Sequence, residues 1–359
     1  MSLESKLTLL VYLKDRAAFT QRLCDYFHLI KYPCHVFFAD GSLEDENEKI
    51  IASFKNANFS YTYHRYPKDL TLSDFYGKVA DAASKITTPY VMPFCNDDFP
   101  ILDSQLKAVE FLESHNDYVG CNGYQPWFYI HEDSSTPYGQ YVFFTNYGFS
   151  VQPYHELTYP TYNQDTPSDR INFALRHYIQ YYYAIIKTEV FKHSANIIKT
   201  MNLSDPFVHE YATSLLPMLQ GKIHQIDNAF FIKQCGSSQY GDEVMKVSWF
   251  KRLFLDSTVE AWKKLLHFLS DYLSKETQQP YDDIYNELLD SVDAMYATDK
   301  RFFELCKLIL RDKITKGWPL KIFNRFPWLV DRLNPLFLTK KIPPHFIEDV
   351  KKIITSPPR

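Results

Sequence analysis

Residues 7–13 (LTLLVYL) make an unbroken apolar run of strand length, closed off by Lys14-Asp15-Arg16. The period then changes. Phe19, Leu23, Tyr26, Phe27 and Ile30 recur at helical spacing across residues 17–30. A second apolar run, residues 34–39 (CHVFFA), stops at Asp40-Gly41-Ser42. An acidic, polar stretch follows, and residues 59–65 (FSYTYHR) then alternate as a strand. Residues 71–86 read as a helix, and residues 89–94 (PYVMPF) as a buried strand that runs into Cys95-Asn96-Asp97-Asp98-Phe99-Pro100. Residues 103–115 are helical in spacing, with Asp103 or Ser104 placed to cap them.

Farther along, residues 121–169 are aromatic and rich in turn formers. They predict strands and loops, with a hairpin around Tyr138-Gly139. Residues 170–187 read as a Tyr-rich helix or strand. Residues 205–219 read as a helix stopped by Gly221, and residues 223–234 as a strand pair or strand and loop. Helical periodicity dominates residues 249–293 and 301–313, so a boundary is expected near residue 245, between an α/β region (1–245) and a mainly helical one (246–359).

Strands alternating with helices predict a mostly parallel α/β sheet flanked by helices, in which ligands sit beyond the carboxyl ends of the strands. Asp15, Asp40 and the pair Asp97 and Asp98 all follow apolar strands, which places acids from three loops on one sheet edge.

Composition narrows the classes. With 45% hydrophobic and 23% charged residues the chain is globular, and its 17% aromatic content, including 27 Tyr, suits a sugar-lined cleft. Six scattered cysteines form no CxxC pair, which fits a reducing compartment and argues against a zinc site. The first residues lack the basic start and long apolar run of a signal peptide, and no stretch approaches the ~20 apolar residues of a membrane span. A cytoplasmic chain is expected. The net charge of −4 divides into +9 over residues 300–359 and −13 over the remainder. A basic tail on an acidic body suits an anionic surface, and no nucleic-acid motif accompanies it.

The order strand, Lys14-Asp15-Arg16, helix, strand, Asp40-Gly41-Ser42 resembles the start of a family 2-type glycosyltransferase of the GT-A fold. The segment 88–99 (TPYVMPFCNDDF) resembles that family's strand and Asp-x-Asp turn. Residues 203–227 resemble its later Glu-Asp helix, with His209-Glu210 at the acidic pair. The likeness spans about residues 7–235. The chain departs from the pattern in three places: Asn96 stands at the first acid, His209 precedes Glu210, and the following loop is Gln234-Cys235-Gly236-Ser237-Ser238, from which no third metal ligand is expected.

The resemblance implies a GT-A, Rossmann-like domain with a helical C-terminal subdomain. It implies a sugar transferred from a nucleotide-diphosphate donor with inversion, to a hydroxyl of a glycan or lipid-linked acceptor in surface polysaccharide or glycoconjugate synthesis. Mg²⁺ or Mn²⁺ would stabilise the departing diphosphate. Asp98 would be the metal ligand, Asp97 a neighbouring or ribose-contacting group, and Asn96 a hydrogen-bonding partner. Asp40 would accept from base or ribose, and Asp15 and Arg16 lie at the first strand end, Arg16 touching diphosphate or bracing its loop. The base that deprotonates the acceptor would be Glu210, with Asp205 as rival and His209 behind both, while Arg170 and Arg176 are candidates to neutralise phosphate.

Residues 316–337 interleave Trp318, Phe323, Phe326, Trp328 and Phe337 with Lys321, Arg325 and Arg332. Such a stretch suits peripheral contact with the inner, anionic face of a membrane, and equally suits packing against the body of the protein. Two other function classes fit the same acids: a metal-dependent nucleotidyltransferase, and a catalytically degenerate GT-A fold that binds a glycan or partner.

Overall fold

Strand β1 (Leu7–Leu13) is buried at every position, as an uninterrupted apolar run requires, because both faces of its sheet must be covered. The computed structural model describes residues 3–131, 141–145, 160–177, 181–235, 255–297 and 344–355. β1 lies within a seven-stranded sheet together with β2 (His35–Asp40), β3 (Tyr61–Arg65), β4 (Tyr90–Cys95), β6 (Tyr118–Tyr124), β9 (Ile185–Lys187) and β10 (Lys222–Ala229). The order is β10-β6-β9-β4-β1-β2-β3, and only the short β9 runs antiparallel to its neighbours. A second sheet, β5-β11-β7-β8, joins β5 (Phe99–Pro100), β11 (Phe231–Cys235), β7 (Trp127–His131) and β8 (Tyr141–Thr145).

Side chains alternate across β1 into two cores. Leu7, Leu9, Val11 and Leu13 join Leu23, Phe27 and Ile51 from α1 (Ala17–Ile30) and α2 (Glu46–Ser53), Leu112 from α4 (Leu102–Ser114) and Val350 from α10 (Pro344–Thr355). Leu10 and Tyr12 face the opposite core, built on α3 (Leu72–Lys85), α5 (Pro167–Arg176), α6 (Thr188–Met201), α7 (Pro206–Leu215), α8 (Asp256–Thr277) and α9 (Tyr281–Ala297). The expected α/β class, a mostly parallel sheet flanked by helices with a helical C-terminal region, is the observed one. No helix among the described residues is long and apolar enough to cross a membrane.

Several local expectations are corrected. α2, β5 and α6 were not predicted, and residues 170–187 divide into the end of α5, a connection and β9. The helical periodicity over residues 249–293 is carried, among the described residues, by two helices: α8 ends where Gln278 takes φ 58°, and α9 begins after Pro280. α4 has Ile101 at its N-cap with no side-chain bond, and Ser104 Oγ instead donates to the Ala229 carbonyl at 2.5 Å, tying α4 to β10. Gly221 is not a left-handed helix stop. It is required because a Cβ there would overlap Val119 and lie 3.0 Å from the Asp117 carbonyl. The aromatic surplus goes largely into the cores, with Tyr26, Tyr32, Tyr76, Tyr162 and Tyr211 fully buried. β7 and β8 do pair antiparallel, while the expected turn at Tyr138-Gly139, the helix over 301–313 and the basic stretch 316–337 lie outside the described residues.

α7 carries His209 into an aromatic nest, with its ring 4.8 Å from Tyr76 and 6.2 Å from Tyr182. Among the described residues, neither ring nitrogen has a hydrogen-bond partner, nor has the nearby buried Ser194 Oγ. Both residues line a cavity of about 20 Å³, room for one water. Burial pushes the His209 pKa from 6.5 down to about 4.

Two substitutions at glycine should move stability in opposite directions. At Gly123 a Cβ would stand 2.5 Å from the Asn228 carbonyl, so Gly123→Ala should cost roughly 1–3 kcal/mol in urea unfolding. Gly77 lies within α3 with nothing within 4 Å of its missing Cβ, and Gly77→Ala should stabilise by about 0.5–1 kcal/mol.

For His209, the unfolded state binds the extra proton between pH 6.5 and about 4, so folded stability should fall as pH drops through that window. The loss should approach an order of 3 kcal/mol. His209→Phe should remove this component, measured as the difference between the two proteins' unfolding free energies at pH 7 and pH 4.5. Parallel curves for the two would reject the assignment.

Candidate active site

From β1 the chain steps to β2 and β3 on one side, while β4 lies on the other. The strand order therefore reverses between β1 and β4, the point beyond whose carboxyl ends sheets of this kind bind ligands. Three loops meet there, following β1, β2 and β4.

The loop after β1 is strained. Asp15 and Arg16 stand at φ 56° and 57°, left-handed values that cost about 1–2 kcal/mol per residue without glycine. Hydrogen bonds to the β2 loop hold them. The Asp15 N–H donates to Ser42 Oγ at 2.7 Å, Leu43 N–H donates to Asp15 Oδ1 at 2.8 Å, and Asn47 Nδ2 donates to the Asp15 carbonyl at 3.0 Å. The result aims Arg16 at the β4 loop, where its Nη2 is 3.0 Å from Asp97 Oδ2.

Asp40 is wholly buried at the end of β2. It accepts from Ser42 N–H at 2.8 Å, Ser42 Oγ at 2.5 Å, Tyr63 Oη at 2.8 Å and Arg65 Nη1 at 2.8 Å. Four donors fill a carboxylate's acceptor sites. As placed, Asp40 has no capacity left for a base or ribose, which corrects the role expected of it: it anchors the turn and holds Arg65 at the rim. Beneath it, Lys78 makes a buried ion pair with Asp69 and donates to the Leu13 carbonyl at 3.0 Å. A Cβ on Gly41 would overlap the Asp69 carboxylate, so the β2 turn needs glycine there for closeness rather than for φ.

At the end of β4, Asn96 Nδ2 donates to Thr20 Oγ1 at 3.0 Å on α1. Asn96 Nδ2 also donates to the Arg16 carbonyl at 3.4 Å, a contact that a carboxylate in its place could not make. Asp98 is 2% exposed. Its Oδ1 accepts from the Gln234 N–H at 2.9 Å, and no hydrogen bond from a described residue reaches its other oxygen. Burial first, and then the Asp97 charge, push the Asp98 pKa up to about 8, against the pull of Lys233, the Gln234 N–H and Arg16.

A divalent cation fits this pair. Mg²⁺ and Mn²⁺ are held by one or two carboxylates plus waters and substrate phosphates, and a cation would offset both the burial and the Asp97 charge that push the Asp98 pKa up. No group of three or more His, Cys, Asp or Glu side chains suited to a metal occurs among the described residues, so such an ion would draw most of its ligands from solvent and donor.

The candidate bases separate clearly. Asp205 caps α7, accepting from Phe207 N–H at 2.9 Å and Val208 N–H at 3.0 Å, while its other oxygen takes the Thr258 hydroxyl of α8 at 2.6 Å. It is a structural joint. Glu210 is half-buried on α7, and its charge contributes to raising the pKa of buried Tyr182. His209 points into the core. Arg170 donates to the carbonyls of Met218, Gln164 and Asp165, and the Nε of exposed Arg176 donates to Ser291 Oγ of α9 at 3.1 Å.

Sequence reasoning missed Arg22. It is 1% exposed, donates to the Asp97 carbonyl at 2.7 Å and to Gln234 Oε1 at 2.6 Å, and its guanidinium lies 4.7 Å from the Phe19 ring centre and 4.9 Å from that of Phe99. The one signal available was a charged residue on the apolar side of a helix, between Phe19 and Leu23.

No protein-family model and no curated protein matches the sequence. Among solved structures, the chain is similar to S. aureus TarS 1-349, at 12% identity over 97% of this chain and 90% of that one, with a TM-score of 0.46. It is similar to the same protein in complex with UDP-GlcNAc, at 11% identity, 97% and 90% coverage and a TM-score of 0.47. It is also similar to the mannosyltransferase PcManGT from Pyrobaculum calidifontis in complex with GDP-Man and Mn²⁺, at 10% identity, 92% and 86% coverage and a TM-score of 0.42.

Proposed function

We propose that this chain is an inverting, metal-dependent glycosyltransferase that moves a sugar from a nucleotide-diphosphate donor to a hydroxyl of a glycan or lipid-linked acceptor. The observation that carries this reading is the meeting of Asp15-Arg16, the Ser42 turn and Asp97-Asp98 at the point where the strand order reverses. Adjacent carboxylates, Asp98 buried and Asp97 partly exposed, with cationic side chains beside them, suit a donor that is itself a metal-bound diphosphate.

Asp98 would hold Mg²⁺ or Mn²⁺, with Asp97 beside it. The cation, when bound, supplies Lewis-acid stabilisation of the diphosphate leaving group. Arg16 would adjust between Asp97 and the donor's phosphates, and Asp15 with the Ser42 turn would set the floor on which the nucleoside rests. Glu210 would take the acceptor proton, because Asp205 has spent both oxygens on α7 and α8 and His209 is sealed in the core. Residues 1–245 would form the catalytic region and 246–359 a helical region ending in the basic stretch, whose contact with an anionic inner membrane face rests on sequence alone.

Thermal melts against UDP, GDP, ADP and CDP, with and without Mn²⁺, test the reading. One diphosphate should stabilise the protein only with the cation, by about 2.7 kcal/mol at a hundredfold excess over its Kd. Asp98→Ala should abolish that cation-dependent part and lower donor turnover by about 100-fold or more. Stabilisation that survives Asp98→Ala would remove the metal from that residue.

A further inference from the structure

Arg22 and Gln234 lie 212 residues apart in sequence, yet they close a ring around the acidic turn. Arg22 Nη2 donates to the Asp97 carbonyl at 2.7 Å, its Nη1 donates to Gln234 Oε1 at 2.6 Å, and the Gln234 N–H donates to Asp98 Oδ1 at 2.9 Å. The peptide from Asp97 to Asp98 completes the circuit. We propose that Arg22 and Gln234 are a positioning pair that fixes the direction of both acids for the cation; this rests on the metal role assigned to Asp98 above.

Three observations support it. First, the ring grips both ends of the unit it encloses. The Asp97 carbonyl sets the orientation of the peptide leading to Asp98, and the Gln234 N–H fixes one carboxylate oxygen, leaving the other to face a ligand. Groups that hold the ligands of a metal in this way commonly govern its affinity.

Second, Arg22 is tightly held. Its guanidinium is 1% exposed and lies 4.7 Å from the Phe19 ring centre and 4.9 Å from that of Phe99, within cation–π range of both rings. These rings pin the guanidinium plane, so its two donors are pre-aimed.

Third, the ring joins separate parts of the fold. Arg22 belongs to α1, the acids follow β4, and Gln234 lies on β11 of the second sheet. Asp98 sits where the chain passes from β4 of the first sheet into β5, the strand that pairs with β11, so the ring ties α1 to the crossing between the two sheets. Neither residue needs to touch a donor for this role.

The test is Mn²⁺ binding to the full chain, read by electron paramagnetic resonance of the free ion in the presence of UDP, GDP, ADP or CDP, with circular-dichroism melts run alongside. Gln234→Leu removes the side-chain acceptor while leaving its N–H on Asp98, and Arg22→Met removes both donors. Each should weaken Mn²⁺ binding by about 10-fold or more. Gln234→Glu keeps an acceptor for Arg22 and should bind Mn²⁺ as tightly as the unaltered protein or tighter. A purely structural role predicts the reverse pattern: lowered melting temperatures, with Mn²⁺ affinity within twofold of the original in every protein that remains folded. That result overturns the positioning role and leaves the metal site standing. If the unaltered chain takes up no Mn²⁺ with any of the diphosphates, the metal assignment itself fails, and the positioning role with it.

Discussion

Two carboxylates on adjacent residues at the end of a buried strand repel each other, and everything around Asp97 and Asp98 answers that repulsion. Arg16 approaches one carboxylate directly, Arg22 takes the backbone between them, and the charge of Lys233 acts on the other. To bring Arg16 there, the backbone at Asp15 and Arg16 accepts two consecutive left-handed conformations. Ser42 from the next strand's loop and Asn47 from α2 bond to it and hold that strain. Ser42 in turn is fixed by Asp40, and Asp40 by Tyr63 and Arg65. A chain of polar contacts thus runs from β3 across β2 and β1 to β4.

The sheet's burial explains why this chain of contacts lies where it does. With helices over both faces, the strands offer no place for a polar side chain without cost. The carboxyl edge is where the parallel strands all release their chains at once, so polar groups from distant segments gather there. The polar groups buried elsewhere are mostly joints. Asp205 links α7 to α8, and Asn172 and Ser291 link α5 to α9 at 2.8 Å.

Much of the sheet was legible because β1, β2 and β4 are apolar along their whole length and end abruptly in charge. The three acid-bearing loops were legible for the same reason. α2 was not, because its residues are mostly polar and only Ile50 and Ile51 mark a buried side. α6 follows β9 with no turn residue to announce it, since Thr188 begins the helix directly after Lys187. Within the site, sequence could place Asp40 at a strand end but could not show Tyr63 and Arg65 arriving from the neighbouring strand to fill it. The Arg22–Gln234 contact was beyond reach in principle, because no local pattern links a residue of α1 to one of β11 when only tertiary packing brings them together. Asp205 was legible as an acid but not as a joint, because Thr258, which takes its second oxygen, comes from a helix 53 residues later.

α10 lies against α1, with Phe346 edge-on to Tyr26 at 6.1 Å and Val350 and Ile354 fully buried. α1 is the helix that carries both Arg16, at its N-cap, and Arg22. The last described segment of the chain therefore works as a clasp on the helix that steers the acidic turn. Removing everything beyond residue 300 would strip the basic stretch and the clasp together, uncovering the apolar flank of α1. Any contribution of that stretch to surface binding is better isolated by neutralising Lys321, Arg325 and Arg332 in the intact chain, which leaves the clasp closed.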